Sequence, residues 1–183
     1  LHVRSRRQRQ MCIRDRNWLE EMLQLCQQKD VGMAGAKLYY PDDTIQHAGV
    51  VVGLGGVAAH VLCKLPRDAE GYMGRLRCVQ EISAVTAACM MVKTSVFKAV
   101  GGFDEELKVA FNDIDLCMKV RKYGVKIVFT PYAELYHYES KSRGMEDTPE
   151  KQLRFSREVN CFRRKWEREL LKGDPYYNPN LTQ

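Results

Sequence analysis

One stretch, Gly101 to Cys117 (GGFDEELKVAFNDIDLC), constrains the fold more than any other part of the chain. It packs paired glycines, the carboxylates of Asp104, Glu105, Asp113 and Asp115, and a helix start into seventeen residues. Asn112 reads as an N-cap, with Asp115 three positions on as the back-reaching partner of a capping box. From Ile114 the run IDLCMKVRKYG is helical, with Ile114, Cys117, Val120 and Arg121 at three- and four-residue spacing and Gly124 as its stop. Asp113 and Asp115 then lie in a first turn, where the helix dipole favours negative charge. A carboxylate fixed at the lip of a helix can act as a general base. The plainer alternative is that both acids only cap the helix, since acids are common in first turns.

Composition limits the alternatives. The 183 residues are 45% hydrophobic and 28% charged, enough for one domain with a real core. The net charge of +6 is uneven. Residues 1–16 hold six arginines and one acid, Asp15, a balance of +5, which leaves +1 for the body. Nothing in the body points to nucleic acid as a partner. The seven cysteines are odd in number, irregularly spaced and without a C-x-x-C, so they frame neither a disulfide scaffold nor a zinc site. A reducing, cytoplasmic setting fits them. The uncharged run Ala48 to Leu62 has 15 residues and four glycines, too short and too glycine-rich for a membrane span.

Taken in order, residues 1–16 lack hydrophobic periodicity and read as a disordered or non-native basic leader. Residues 17–28 read as an amphipathic helix with Trp18, Met22, Leu25 and Cys26 on one stripe. Strands are expected over 31–40 and 44–53, joined as a hairpin by the turn at Pro41-Asp42-Asp43. His47 lies in the second of them and reads as a packed histidine. Gly53, Gly55 and Gly56 do not make a dinucleotide fingerprint, because the third glycine and the following helix are missing. Further strands are expected over 81–92 and 125–130, with a short helix from Lys93 between them. Thr148 and Pro149 open a long amphipathic helix that runs to Leu171. Between these lies a second dense stretch, Tyr132 to Gly144. There His137 and Glu139 alternate on a strand-like segment, and Lys141 and Arg143 can meet phosphate oxygens. The alternative is a solvated strand end.

Several motifs in fixed order carry a resemblance. They are Gly101-Gly102-Phe103-Asp104-Glu105, Asn112-Asp113-x-Asp115-Leu116-Cys117, and Thr130-Pro131-x-Ala133-x-Leu135-x-His137 with Ser142-Arg143-Gly144. With Gly35-Ala36-Lys37-Leu38, Ile45-Gln46-His47-Ala48-Gly49 and the Asp174-Pro175-Tyr176-Tyr177 tail, they make residues 17–182 resemble the C-terminal half of a family 2 glycosyltransferase. The bacterial rhamnosyltransferase-like members that build surface polysaccharides are the most similar group.

That resemblance implies an α/β fold: a partial GT-A (Rossmann-like) domain, its acceptor-side half, with a mixed sheet and flanking helices over residues 17–183. It implies a hexosyl-type, inverting transfer from a nucleoside-diphosphate sugar to a glycan acceptor. Asp113 matches the catalytic base, although the acid that usually precedes it is Asn112 here. His137 matches the residue that helps hold Mn²⁺ or Mg²⁺. Asp115, Lys141 and Arg143 are implied substrate contacts. A lipid-linked acceptor would bring the protein to the inner face of the plasma membrane. The family's D-x-D type metal motif precedes the first helix, whereas this chain has Arg14-Asp15-Arg16 there. The expectation is therefore a truncated transferase with little turnover of its own. The alternatives are a non-catalytic glycan-binding module or inactive relative, and a metal-dependent hydrolase using Asp113, Asp115, His137 and Glu139.

Overall fold

The computed structural model describes residues 11–13, 17–138, 148–178 and 180. The central element is β2 (Val31–Tyr39), buried along its whole length. Such a strand needs cover on both faces, which its continuous small and apolar run anticipates. Its parallel neighbour is β8 (Lys126–His137), and β3 (Ile45–His47) and β7 (Met90–Val92) pair antiparallel on its other side. On the far edge of β8 lie β6 (Gln80–Glu81) and β1 (Met11–Ile13), both antiparallel. A separate ribbon joins β4 (Val50–Val52) to β5 (Ala58–His60).

Helices close both faces. α1 (Trp18–Cys26) packs Met22, Leu25 and Cys26 against Ala34, Ala36 and Leu38 of β2 and Leu135 of β8. On the opposite face α3 (Asn112–Lys122) and α4 (Pro149–Lys172) bury Leu116, Cys117, Phe162 and Trp166 against Met33, Ile127 and Phe129. α2 (Thr94–Ala99) is short and follows β7. The result is a mixed α/β domain of the GT-A type, a curled mixed sheet with flanking helices.

The structure redraws several sequence boundaries. The strand expected over 44–53 divides at Ala48-Gly49, where Gly49 takes φ +109, and its halves join different sheets. The strand expected over 81–92 survives only at its ends, as β6 and β7. Its middle crosses the sheet face, and Val85 occupies the space that a Cβ on Gly35 would need, 2.3 Å away. The strand expected to close at Pro131 runs on to His137. Its pairing steps from Ala36↔Thr130 to Lys37↔Glu134, so Pro131, Tyr132 and Ala133 bulge where proline offers no ladder donor. Three residues inside the expected leader, Met11–Ile13, form β1 opposite Leu135–His137. α4 begins as expected: the Thr148 hydroxyl accepts from Lys151 N–H, and proline sits in the first turn.

Candidate functional site

α3 starts differently from the capping box. Its first helical residue is Asn112, and its N-cap is Phe111 in the left-handed region (φ 61), with no side-chain cap. A bulky residue there stores about 1–3 kcal/mol of strain and needs support from its surroundings. The ring of Phe111 packs on Phe155 and Phe162, with centroids at 5.7 and 5.5 Å. The preceding loop is held by Glu158, 4% exposed, whose two oxygens accept from Val109 N–H at 3.2 Å and Ala110 N–H at 2.8 Å. Sequence reading had no signal for Glu158, which lies about fifty residues further along the chain.

Asp113 sits in the first turn, half-buried. Its Oδ1 accepts from Ile114 N–H at 2.9 Å, and its Oδ2 accepts from Ala87 N–H at 3.0 Å. Two backbone donors on different segments thus fix the plane of the carboxylate. Beside it lies an open cavity of about 460 Å³, lined by Ala87, Phe103, Asp104, Glu105, Leu107, Lys108 and Asn112. Phe103 is 43% exposed and rests edge-on against Phe97.

Asp115 is corrected by the structure. It is fully buried, its Oδ1 accepts from Trp166 Nε1, and Lys165 and Lys119 pair with its two oxygens at 2.7 and 2.9 Å. The carboxylate ties α3 to α4 and reaches back to no N-cap.

His137 ends β8 and is half-buried. Gln46 clamps it twice: Oε1 lies 2.9 Å from His137 Nδ1, and Nε2 donates to the His137 carbonyl at 3.3 Å. An Nδ1–H donated to Gln46 puts the lone pair of a neutral ring on Nε2. The next residue, His47, is fully buried, with Nδ1 2.9 Å from His60 Nδ1 and Nε2 3.5 Å from Thr86 N–H. Burial first, and then the neighbouring His60 and His137, hold its pKa well below the ordinary histidine value. Lys141, Arg143 and Glu139 lie outside the described residues. Among the described residues no group of three or more His, Cys, Asp or Glu is placed to hold a metal ion. His137 alone does not make the metal site that the resemblance implies.

The fold and the site together define a class: a mixed α/β domain with a backbone-held carboxylate at a helix start, next to residues that line an open cavity. Comparison with known proteins makes the class specific. Residues 12–158 match the family described as glycosyltransferase like family 2, and the chain belongs to that family. It is 58% identical over 167 residues to the uncharacterized protein y4gI of Sinorhizobium fredii, covering 91% of this chain and 18% of that protein. It is 38% identical to the O-antigen biosynthesis protein RfbC of Myxococcus xanthus, covering 92% and 13%. A shorter match, 36% over 62 residues, is to an N-acetylglucosaminyl-diphospho-decaprenol L-rhamnosyltransferase of Mycobacterium tuberculosis, covering 34% and 20%. The chain spans less than a fifth of the length of the first two relatives.

Proposed function

We propose that the chain carries the acceptor-activating part of an inverting glycosyltransferase of polysaccharide synthesis. The observation that carries this reading is the Asp113 carboxylate of a family 2 domain, held by Ala87 and Ile114, with Ala87 and the adjacent Asn112 lining the Phe103 cavity. In the proposed step an acceptor hydroxyl gives its proton to Asp113. Its oxygen forms the new bond to the anomeric carbon as the bond to the diphosphate oxygen breaks. The nucleoside diphosphate leaves with that electron pair, and one displacement inverts the centre. Phe103 offers an apolar face to the acceptor sugar, and Lys141 and Arg143 are proposed partners of the diphosphate. No step is routed through a metal, because the described residues do not assemble a ligand set.

The names of two relatives, O-antigen biosynthesis and rhamnosyl transfer to a diphospho-decaprenol, support a lipid-linked glycan as acceptor. Among the described residues no helix is long and apolar enough to cross a membrane, so a lipid-linked acceptor would bring the domain to the membrane face. Arg14-Asp15-Arg16 supplies no paired carboxylates for a donor-bound metal, so slow turnover by the 183-residue chain is part of the proposal.

The test is transfer from a panel of nucleoside-diphosphate sugars to N-acetylglucosaminyl-diphospho-lipid. It uses the chain alone and the chain joined at Asn17 to the donor-binding half of an active family 2 glycosyltransferase. Asp113→Asn should lower the rate about 10²–10⁴-fold, while its NH₂, opposing one of the two backbone donors, lowers stability by about 1 kcal/mol. Wild-type turnover by Asp113→Asn, or retention at the anomeric carbon, would overturn the reading.

A further inference from the structure

The segment from Ala84 to Ala88 is the floor on which Asp113 rests, and its backbone N–H groups from Val85 to Ala88 each have a partner. The Ala84 carbonyl accepts from Val50 N–H at 2.9 Å. Val85 is bracketed by the Cys117 thiol, which lies 3.4 Å from its N–H and 3.5 Å from its carbonyl oxygen. Ala87 N–H holds Asp113, and Ala88 N–H donates to Thr86 Oγ1 at 3.3 Å. Thr86 N–H is left for His47 Nε2, at 3.5 Å. His47 therefore holds the amide immediately before the one that holds Asp113.

We propose that His47 is a positioning residue for Asp113, acting through the Thr86 and Ala87 backbone. The proposal rests on Asp113 being the acceptor base. His47 comes from β3, on the sheet, and Asp113 from α3, packed against it. Thr86 and Ala87 sit between them with consecutive amides turned to opposite partners. Moving Thr86 tilts the Ala87 peptide and with it the donor to Asp113 Oδ2. A displacement of about 1 Å at a reacting group can cost on the order of 100-fold in rate.

The geometry also fixes a tautomer. A ring nitrogen that accepts from Thr86 N–H carries no proton, so neutral His47 carries its proton on Nδ1 and donates it to His60 Nδ1. Glutamine at position 47 puts an acceptor oxygen near the place of Nε2. Asparagine reaches only the place of Nδ1 and leaves Thr86 N–H buried without its partner.

The experiment is NMR on the full chain, labelled with ¹⁵N-histidine and ¹³C-aspartate, for wild type and for His47→Gln, His47→Asn and His47→Ala. The ¹⁵N spectrum should show His47 as the Nδ1–H tautomer. His47→Asn and His47→Ala should shift the Asp113 carboxyl carbon and speed exchange of the Ala87 amide. His47→Gln should restore both, with a melting temperature that separates this from general loosening. A proton on His47 Nε2, or an Asp113 signal and Ala87 exchange indifferent to the Asn and Ala variants, would overturn the proposal. Failure of the base assignment is read separately: it is wild-type transfer by Asp113→Asn, which leaves these spectra unchanged in meaning.

Discussion

Trp166 Nε1 donates to Asp115 Oδ1 at 2.8 Å across the contact between α4 and α3, with the indole 4% exposed and the carboxylate fully buried. The bond joins residues 51 positions apart and fixes how far α3 can slide along α4. Since Asp113 is two residues from Asp115 on the same helix turn, this contact also sets the height of the proposed base above the sheet.

Replacing Trp166 with phenylalanine keeps most of the apolar volume and removes the donor. A buried acceptor losing its partner costs about 1–3 kcal/mol. Lys165 and Lys119 remain as ion-pair partners, which places Trp166→Phe toward the lower end. Urea unfolding of both proteins, at equal m-values, measures it. No change in midpoint would mean that the lysines alone hold Asp115.

Glu158→Gln acts on the loop before the helix. The carboxylate accepts from both Val109 and Ala110 N–H, and an amide can serve only one of them while its NH₂ opposes the other. The expected loss is again about 1–3 kcal/mol, with faster exchange of those two amides and reduced transfer at unchanged donor affinity. Phe111, left-handed and directly after Ala110, makes the loop sensitive. Equal exchange rates in the variant would remove Glu158 from the support of the site.

The parts of this molecule that were legible in the sequence are those written in consecutive residues. α3, its Gly124 stop, the Thr148-Pro149 start of α4 and the position of Asp113 all follow from local spacing. Asp115 reads as a capping partner because two of its three partners, Trp166 and Lys165, are about fifty residues away. Asn112 has the propensity of an N-cap, yet the stack of Phe111 on Phe155 and Phe162 moves the helix start by one residue. His47 was recognised as a packed residue, but its contact with Thr86, 39 positions on, has no trace in the pattern. The divided strands were missed because the apolar runs continue through Gly49 and Val85, while the backbone leaves the sheet for tertiary reasons.

The cysteines give a pH prediction. Burial pushes the Cys89 thiol up to about 12 and also raises Cys117 and Cys26. A thiol whose folded pKa lies above its unfolded value, about 8.5, contributes stability that is complete below that value. The contribution is lost as pH rises through the folded value. The chain should therefore weaken steadily from about pH 8.5 toward 12. Among the six cysteines whose side chains are described, iodoacetamide should label the exposed Cys78 first and reach Cys89 and Cys117 only on unfolding, as read by peptide mass spectrometry. Early labelling of Cys117 in the folded chain would contradict its place against Met33 and Val85.

Gly35→Ala tests the sheet side of the site. A Cβ at this position would lie 2.3 Å from Val85 Cγ1 and 2.6 Å from Val85 Cβ, closer than packed atoms allow. β2 is held on both sides by β7 and β8, so the strand cannot retreat and Val85 must. Overpacking of this kind costs about 1–3 kcal/mol. Val85 lies two residues before Ala87, so the displacement passes to the amide that holds Asp113. Transfer should fall further than stability does, and Val85→Ala in the same chain should recover both only in part, since it removes Cγ1 but leaves the position-85 Cβ 2.6 Å from the added methyl. A double variant no better than Gly35→Ala would show that the strand, rather than the 84–88 segment, had yielded.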